Sequence, residues 1–313
     1  MMPKLEPMQS SYHTPVLLQE TVAGLVTNPD GWYVDCTFGG GGHSRSILRR
    51  LSDVGRLFAF DQDADARQNL PDDPRITFIP ENFRHLERFL RLYKVPAVDG
   101  ILADLGISSH QIDVPERGFS TRFDAPLDMR MDQRQPTDAA TLIAQLDEKA
   151  LHRLFEQYGE VTNARTLARV IVEQRKQRPI KTVFQFREAV HSAVVGNPNK
   201  YFAQVFQALR MQVNDELGAL KTMMEQAGRC LKPGGRIAVI TFHSIEDRLV
   251  KQLIKGNMDE KETMTDLFGN KSESIFKSVT RKPILPTPDE IRNNPRSRSA
   301  KLRIAEKKAD AHA

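Results

Sequence analysis

The sequence has little cysteine and no long apolar run. Its 313 residues include two cysteines, Cys36 and Cys230, which are too few for a disulfide framework and lack the spacing of a zinc site. No run approaches the roughly 18 consecutive apolar residues of a membrane span, and the N-terminus lacks the apolar core of a secretory signal. A hydrophobic content of 40% excludes a wholly disordered chain. We therefore expect a soluble, cytoplasmic protein that has no membrane partner.

Acidic residues are scarce in two stretches of an otherwise ordinary charge distribution. The chain carries 45 Lys and Arg against 40 Asp and Glu, which gives a formal net charge of +5. Residues 277–308 hold ten basic side chains against three acidic ones, and residues 165–187 hold seven against one. Either stretch alone is as consistent with a solvated face as with a binding surface. Two of them in one chain favour a polyanionic partner such as nucleic acid.

The pattern of apolar residues changes twice along the chain. Residues 32–110 alternate short apolar runs with helical patterns, which predicts βαβ units and a parallel sheet. Helical patterns then dominate, and strand patterns return from residue 236. We therefore predict an α/β fold, in which a Rossmann-like sheet is interrupted by an inserted all-helical subdomain. The division is 1–111 for the first part of the sheet domain, 112–217 for the insertion, which would bind substrate, and 218–313 for the second part with its basic C-terminal segment.

Two periodic stretches in the helical region each predict one continuous helix. The apolar positions of residues 142–158 share one helical face, and a second pattern covers residues 202–231 before the sequence KPGG ends it. Thr182, with Gln185 three residues later, predicts a capping box that opens a further helix.

Four consecutive glycines, Gly39 to Gly42, follow the first predicted strand and open a helix. Glycine lets the backbone approach a ligand closely, and the helix N-terminus behind the turn offers unpaired N–H groups. About twenty residues further on, Asp61 ends the second predicted strand, where doubly wound folds place an acid that binds ribose hydroxyls. The combination predicts a nucleoside site. The alternative for Asp61 is the N-cap of the next helix.

The spacing of the glycines disfavours a dinucleotide cofactor. A G-x-G-x-x-G motif that starts at Gly40 needs glycine or alanine where Arg45 stands, and one that starts at Gly39 ends at Ser44. A nicotinamide-dependent dehydrogenase is therefore disfavoured. No Gly-Lys-Ser/Thr follows the glycines, so a P-loop is absent as well.

The register D-x-x-x-G-x-G from Asp35 to Gly41 resembles the first motif of S-adenosylmethionine (SAM)-dependent methyltransferases. Thr37 stands where the earliest glycine of that motif usually lies. The glycine turn and Asp61 thus favour SAM as the bound nucleoside.

Seven long strings occur in order along the chain: HTPVLLQETV (13–22), DCTFGGGGHS (35–44), ADLGISSHQ (103–111), GFSTRFDAPLDMRM (118–131), FQALRMQVNDEL (206–217), LKPGGRIAVITFHSIEDRLVK (231–251) and NPRSRSAKLR (294–303). Together they resemble the family of ribosomal RNA small-subunit methyltransferase H, also called MraW, from about residue 12 to 305. The resemblance implies SAM as the methyl donor. It implies the exocyclic amine (N4) of a decoding-region cytidine in small-subunit (16S) rRNA, free or in the small ribosomal subunit, as the acceptor. A homodimer is left open.

The resemblance also assigns a donor site, residue by residue. The family's donor-binding residues fall on Gly41, Gly42, His43, Asp61, Phe83, Asp104 and Gln111, and Gly39 belongs to the same turn. Asp61 is the ribose acid, and Phe83, after the third strand, would lie against adenine. Taken alone, Phe83 is as consistent with core packing, and His43 is more often a helix-start residue. No metal ligands are expected.

The string Asp104-Leu105-Gly106-Ile107-Ser108-Ser109 ends the fourth predicted strand. Many amino-methyltransferases carry Asp/Asn-Pro-Pro-aromatic at that place. Methyl transfer from a sulfonium is an in-line displacement, and positive charge develops on the acceptor nitrogen. We therefore expect Asp104 and neighbouring carbonyls to accept from the amine or to position the donor, with Ser108 or Ser109 assisting.

The residues that would hold the target base are less defined, because the string has no aromatic residue. Candidates for stacking are Phe119, Phe123 and Phe242, each of which is also a plausible core residue. His243 follows the fifth predicted strand as a site histidine or a helix-start residue. Phosphate contacts are expected from Arg130, Arg296 and Arg298.

Two other functions remain open from the sequence. One is a SAM-dependent methyltransferase that acts on another RNA, on DNA or on a small amine. The other is a ribosome-assembly binding protein with a vestigial SAM pocket, against which the intact glycine turn, Asp61 and Asp104 argue.

Overall fold

The structure is a computed structural model that describes residues 15–256 and 274–309. Its strands are β1 Trp32–Asp35, β2 Arg56–Phe60, β3 Ile76–Ile79, β4 Val98–Asp104, β5 Leu231–Thr241, β6 Phe276–Ser278 and β7 Lys301–Lys307. Its α-helices are α1 Leu18–Leu25, α2 Gly42–Leu48, α3 Leu86–Leu92, α4 Ser109–Asp113, α5 Ala139–Gln145, α6 Glu148–Gly159, α7 Ala164–Gln177, α8 Val183–Ala189, α9 Pro198–Val213, α10 Glu216–Cys230, α11 Ser244–Ile254 and α12 Pro288–Asn293. Short 3₁₀ helices cover Ala64–Asn69, Phe83–His85, Pro115–Arg117, His191–Ala193 and Pro295–Ser299.

The strands form one sheet in the order β3-β2-β1-β4-β5-β7-β6. Strands β1 to β5 are mutually parallel, and β7 runs antiparallel between β5 and β6. The predicted Rossmann-like α/β sheet is therefore confirmed. The strand order reverses between β1 and β4, so a crevice is expected at the carboxyl ends of these two strands.

Alternation along the central strands builds a core on each face of the sheet. Because successive side chains of a strand point to opposite faces, Ile101 and Val239 pack on one side while Leu102 and Ile240 pack on the other. Side chains of α3, α10 and α11 cover the first face, and those of α1 and α2 cover the second. Both faces are sealed, which is the usual condition of a parallel sheet.

Between β4 and β5 the chain forms a block of helices with a core of its own. The buried side chains of this block run from Phe119 to Val213 and include Phe155, Leu167 and Phe186. The predicted helical insertion is thus confirmed as part of the fold. Its boundaries at 112 and 217 stay a prediction.

Each of the two long helices expected from periodicity is in fact a pair of helices. The stretch 142–158 breaks after Gln145, because the Asp147 side chain accepts from Ala150 N at 2.7 Å and starts α6. The stretch 202–231 breaks at Asp215, whose φ of 46° is left-handed. The apolar faces continue across both breaks, so periodicity alone did not reveal them. The capping box at Thr182 and Gln185 is confirmed.

The C-terminal part of the described chain joins the sheet beside β5 and contacts the segment that precedes α1. After α12, β7 enters the sheet beside β5, and Arg303 and Lys301 pair with Asp247 of α11 at 2.7 and 3.3 Å. Glu290 of α12 accepts from the backbone N–H of Leu17 at 2.7 Å. Residues near both ends of the chain are therefore in contact.

No helix in residues 15–256 or 274–309 is both long enough and apolar enough to span a membrane.

Two glycines offer a matched test of backbone packing. Gly118 and Gly196 have φ values of 71° and 68°, which disfavour any other residue. A Cβ at Gly118 would lie 2.3 Å from the carbonyl oxygen of Pro126, whereas a Cβ at Gly196 meets no described atom within 4 Å. We expect Gly196→Ala to lower the free energy of unfolding by about 1–2 kcal/mol, through backbone strain alone.

Gly118→Ala should lower the free energy of unfolding clearly further, because the Pro126 backbone must also move. Equilibrium urea unfolding of both variants measures the difference. Equal losses would show that the packing around Gly118 yields without cost.

Candidate active site

A cavity of about 500 Å³ opens at the carboxyl ends of β1 and β4, where the strand order reverses. This volume lies within the usual range of small-molecule sites. The predicted site residues that line it are Gly39, Gly42, His43, Asp61, Phe83, Asp104, Ser108, Ser109 and Gln111. Of the predicted donor-site residues, Gly41 alone does not line the cavity. The fold has thus brought together side chains from the ends of several different strands.

The glycine turn brings backbone to the cavity wall. Gly39 and Gly41 have φ values of 49° and 73°, and Gly41 is the left-handed cap of α2. A Cβ on Gly42 would lie 2.1 Å from the Pro15 ring, so the close packing requires glycine there. Gly41 therefore turns the chain, and Gly39 and Gly42 form part of the wall.

Asp61 is anchored by the turn that it faces. Its Oδ2 accepts from Gly39 N at 2.7 Å, and its Oδ1 accepts from Asp63 N at 2.8 Å. Burial raises the pKa of Asp61 to about 7, although these two hydrogen bonds act in the opposite direction. Each oxygen keeps a lone pair for a ligand hydroxyl. The alternative as an N-cap is wrong, because the cap of the following 3₁₀ helix is Asp63.

Asp63 is a site residue that the sequence reasoning missed. It lines the cavity and accepts from Gln111 Nε2 at 2.7 Å. Arg117 lies 2.9 Å from Asp63 and 3.1 Å from Asp65, and its guanidinium also donates to the carbonyl of Met131. Asp63 lies two residues beyond Asp61, but its partners are distant in the sequence. Gln111 thus acts at the cavity wall as a hydrogen-bond partner of Asp63.

His43 is a neutral side chain in the cavity wall. Its Nε2 lies 3.1 Å from the carbonyl oxygen of Val16. A carbonyl can only accept, so Nε2 carries the proton. Burial lowers the pKa of His43 to about 4. Its Nδ1 is 3.6 Å from Asp104 Oδ2, which is too long for a hydrogen bond.

Asp104 lines the cavity, and one of its two carboxylate oxygens is left unsatisfied by the described residues. Its backbone N–H donates to Thr37 Oγ1 at 2.7 Å, which joins the ends of β4 and β1. Its Oδ1 is buried and has no hydrogen-bond partner among the described residues. Burial, followed by repulsion from Asp35 and Glu246, raises the pKa of Asp104 well above its usual range. A donor or a cation placed beside Oδ1 would relieve this cost.

Beyond Asp104, the cavity is lined by polar side chains that the sequence reasoning did not single out. Among them are Asn214, Glu216 and Glu246. Glu216 begins α10, and Glu246 lies in the first turn of α11. All three fall within strings that carry the family resemblance, but their types and spacing alone predict no common site. Ser108 caps α4 by accepting from Gln111 N at 3.2 Å, and Ser109 follows it at the wall.

The three candidate stacking residues have different positions. Phe242 lines the cavity. Phe119 is buried in the core of the helical block, and Phe123 is 45% exposed. His243 lies beside Glu246, with its Nε2 3.0 Å from Glu246 Oε1.

The three predicted phosphate contacts also differ. Arg130 is held by both oxygens of Asp128 and by the carbonyl of Gln135, so the loop already uses its guanidinium. Arg298 is exposed. Arg296 lines the cavity and pairs with Asp113 at 2.9 Å, and its Nη1 is buried without a partner among the described residues.

Comparison with known proteins gives consistent matches. The family model described as the MraW methylase family matches residues 10–308. The chain is 56% identical over 297 residues to the ribosomal RNA small subunit methyltransferase H of Flavobacterium johnsoniae, which covers 95% of this chain and 98% of that protein. It is 52% identical over 302 residues to the protein of the same name from Bacteroides fragilis, which covers 96% and 99%.

A solved structure, a putative rRNA methylase from Clostridium thermocellum, covers 92% of this chain and 94% of its own. It is 11% identical with a TM-score of 0.42.

The ion pair between Asp63 and Arg117 should stabilise the fold. The Arg117 side chain is 4% exposed, so removal of a carboxylate leaves a buried cation with only Asp65 opposite. We expect Asp63→Asn to lower the free energy of unfolding by about 3 kcal/mol. Asp289→Asn, which breaks an exposed pair with Arg292, should change it little. Chemical unfolding at neutral pH compares the two, and similar effects would contradict a structural role for Asp63.

Proposed function

The chain belongs to the MraW methylase family, a family of SAM-dependent methyltransferases, and we propose that it methylates N4 of a cytidine in the decoding region of small-subunit rRNA. The observation that carries the chemistry is the carboxyl group of Asp104, whose side chain is 24% exposed and lines the cavity at the switch point of the sheet. The relatives named above support rRNA as the substrate class.

The wall from Gly39 to Phe83 suits the donor. Asp61 would accept from the ribose hydroxyls through the lone pairs left by its two backbone bonds. Phe83 is partly buried and starts the 3₁₀ helix that follows β3, and it would lie against the adenine. Gly39 and Gly42 let the donor approach the backbone, and neutral His43 fills the wall beside Asp104 without opposing a cation.

Asp104 would act where the methyl group moves. Its carboxylate would accept a hydrogen of the cytosine amine and attract the positive charge that develops on that nitrogen. The neighbouring backbone after β4 and the hydroxyls of Ser108 and Ser109 line the same part of the cavity. An in-line transfer mainly requires that donor and acceptor are aligned and that water is excluded, and the donor and the target base would do both by filling this cavity.

The target base must leave its stack to enter the cavity. Phe242 is the stacking candidate that lines the cavity, whereas Phe119 is committed to the helical core. The inserted helices would hold the surrounding RNA.

An exposed aromatic and cationic surface lies on the helical block. Phe123 and Phe184 are 45% and 43% exposed, with the guanidinium carbons of Arg122 and Arg187 at 5.8 and 5.6 Å from their ring centres. Exposed rings beside arginines are the groups that bind single-stranded nucleic acid. This surface, together with Arg296 at the rim, is where we place the flanking nucleotides.

Transfer of a labelled methyl group tests the function directly. Purified protein is incubated with labelled SAM and either undermethylated small subunits or naked rRNA, and the product nucleosides are then separated. We expect label in N4-methylcytidine. Label on a ring carbon, on a ribose, or on DNA or a small amine alone would refute the proposal. SAM binding without transfer to any of these would instead support the assembly-protein alternative.

Asp104→Asn should separate binding from turnover. The variant keeps the size of the side chain but loses the charge, so we expect turnover to fall by about 100-fold or more. In the wild type, the carboxylate gains charge as pH rises through its raised pKa, so preference for cationic SAM over neutral S-adenosylhomocysteine should grow with pH. The variant should show a weaker trend, because Asp61, with a pKa of about 7, still gains charge over the same range. Calorimetric titration of both ligands measures it.

Asp72→Asn, at an exposed position, serves as the control. Undiminished turnover in folded Asp104→Asn would remove Asp104 from the mechanism.

Arg296→Gln tests the phosphate contact. Loss of one such contact should weaken RNA binding and reduce the slope of log affinity against log salt by about one. Arg56→Gln is the control, because Arg56 starts β2 at its amino end, whereas the cavity opens at the carboxyl ends of the parallel strands. RNA affinity is measured by fluorescence anisotropy at several salt concentrations. An unchanged slope would show that the RNA does not contact Arg296.

A further inference from the structure

Three side chains that could ligate a metal ion lie close together, and two of them line the cavity. They are Glu216 at the start of α10, His243 just before α11, and Glu246 in the first turn of α11. One ligand atom from each lies within 4.8 Å of the others. Within residues 15–256 and 274–309, no other group of three His, Cys, Asp or Glu side chains is so arranged.

His243 is the unusual member of this group. Both of its ring nitrogens are buried, and neither makes a hydrogen bond to a described residue. The 3.0 Å contact of Nε2 with Glu246 Oε1 lacks the angle of a hydrogen bond. Two cis ligands of an ion with bonds of about 2.1 Å are also about 3.0 Å apart. The pair is therefore spaced like ligands and not oriented like donor and acceptor.

The carboxylates are held with free lone pairs. The Glu246 side chain is 2% exposed, and its Oε2 accepts from Phe242 N at 3.1 Å, which leaves Oε1 beside His243. Arg210 donates to Glu216 Oε1 at 2.8 Å and to Oε2 at 3.0 Å. A carboxylate oxygen accepts two bonds, so each oxygen of Glu216 keeps one lone pair. Arg210 is then an outer partner that orients a ligand.

The charges around the group favour a further cation. Asp104, Glu216 and Glu246 line one cavity, and Arg210 pairs with Glu216 alone. Buried charges are costly unless they are paired or coordinate a metal. A divalent ion would offset the excess of negative charge.

We propose that Glu216, His243 and Glu246 bind one divalent transition-metal ion of the Mn²⁺ or Zn²⁺ class. One imidazole nitrogen with two carboxylate oxygens suits such ions, whereas Ca²⁺ and Mg²⁺ prefer oxygen ligands throughout. Glu216 and Glu246 both line the cavity, so an ion that they hold would be reached from it. A substrate oxygen would complete its coordination. The role of a substrate oxygen rests on the proposed function, whereas the metal site itself does not.

The test uses the full chain after treatment with a chelator. Mn²⁺ is added, and the loss of its free electron-paramagnetic-resonance signal counts the bound ions; Co²⁺ gives a visible spectrum of its ligands. We expect one equivalent bound and a cobalt spectrum without a thiolate band. His243→Gln and Glu246→Gln should each weaken binding by at least about tenfold. Both variants should still bind S-adenosylhomocysteine, which checks their folding independently of methyl transfer.

The matched control is the double variant His152→Gln, Glu156→Gln, which removes an exposed His–Glu pair 3.8 Å apart. Its Mn²⁺ affinity should equal that of the wild type. If the site variants fail to fold, the wild type is tested instead by nuclear magnetic resonance. Mn²⁺ should then broaden the ring resonances of His243, and unbroadened resonances would contradict the proposal. The proposal is overturned if no ion binds stoichiometrically, if a thiolate band appears, or if folded His243→Gln binds as tightly as the wild type.

Discussion

An excess of buried carboxylates at one edge of the sheet governs the rest of the structure. Asp35, Asp61 and Asp104 end parallel strands or follow them directly, so the topology itself brings like charges together. The protein answers mainly with neutral donors: Ser44 and Thr37 donate to Asp35, and backbone N–H groups donate to Asp61. Neutral donors lessen the repulsion without removing it. A cationic ligand therefore stabilises the folded state as it binds, and above its dissociation constant the gain grows with the logarithm of its concentration.

The helical block is tied directly to the sheet. Arg117, which follows α4, reaches back to Asp63 and across to the carbonyl of Met131. Asn214, between α9 and α10, accepts from Met131 N at 2.7 Å and donates to the carbonyl of Met129 at 2.8 Å. The loop before α5 is thus fastened on both sides. The ligand cavity is consequently shaped by the sheet and the block together, although each has its own core.

The cavity wall formed by the glycine turn and Asp61 was predictable because its signals are local. A strand, a glycine turn and a helix are consecutive in sequence, and Asp61 directly follows the next strand. The wall that contains Glu216 and Glu246 depends on tertiary packing, because these residues meet only where α10 and α11 start near the carboxyl ends of the strands. The helix breaks at Asp147 and Asp215 were missed for a related reason. A single capping or left-handed residue ends a helix without disturbing its apolar periodicity.

The position of β7 has a consequence for biosynthesis. A ribosome makes β5 long before β7, yet β5 gains its second neighbour only when β7 arrives, and Arg296 reaches the cavity just ahead of it. Until that moment β5 has an open edge, and Asp247 lacks the cations that β7 supplies. A nascent chain can therefore assemble much of its nucleoside pocket while still tethered. It completes the rim, with Arg296, only after nearly all of these residues have left the exit tunnel.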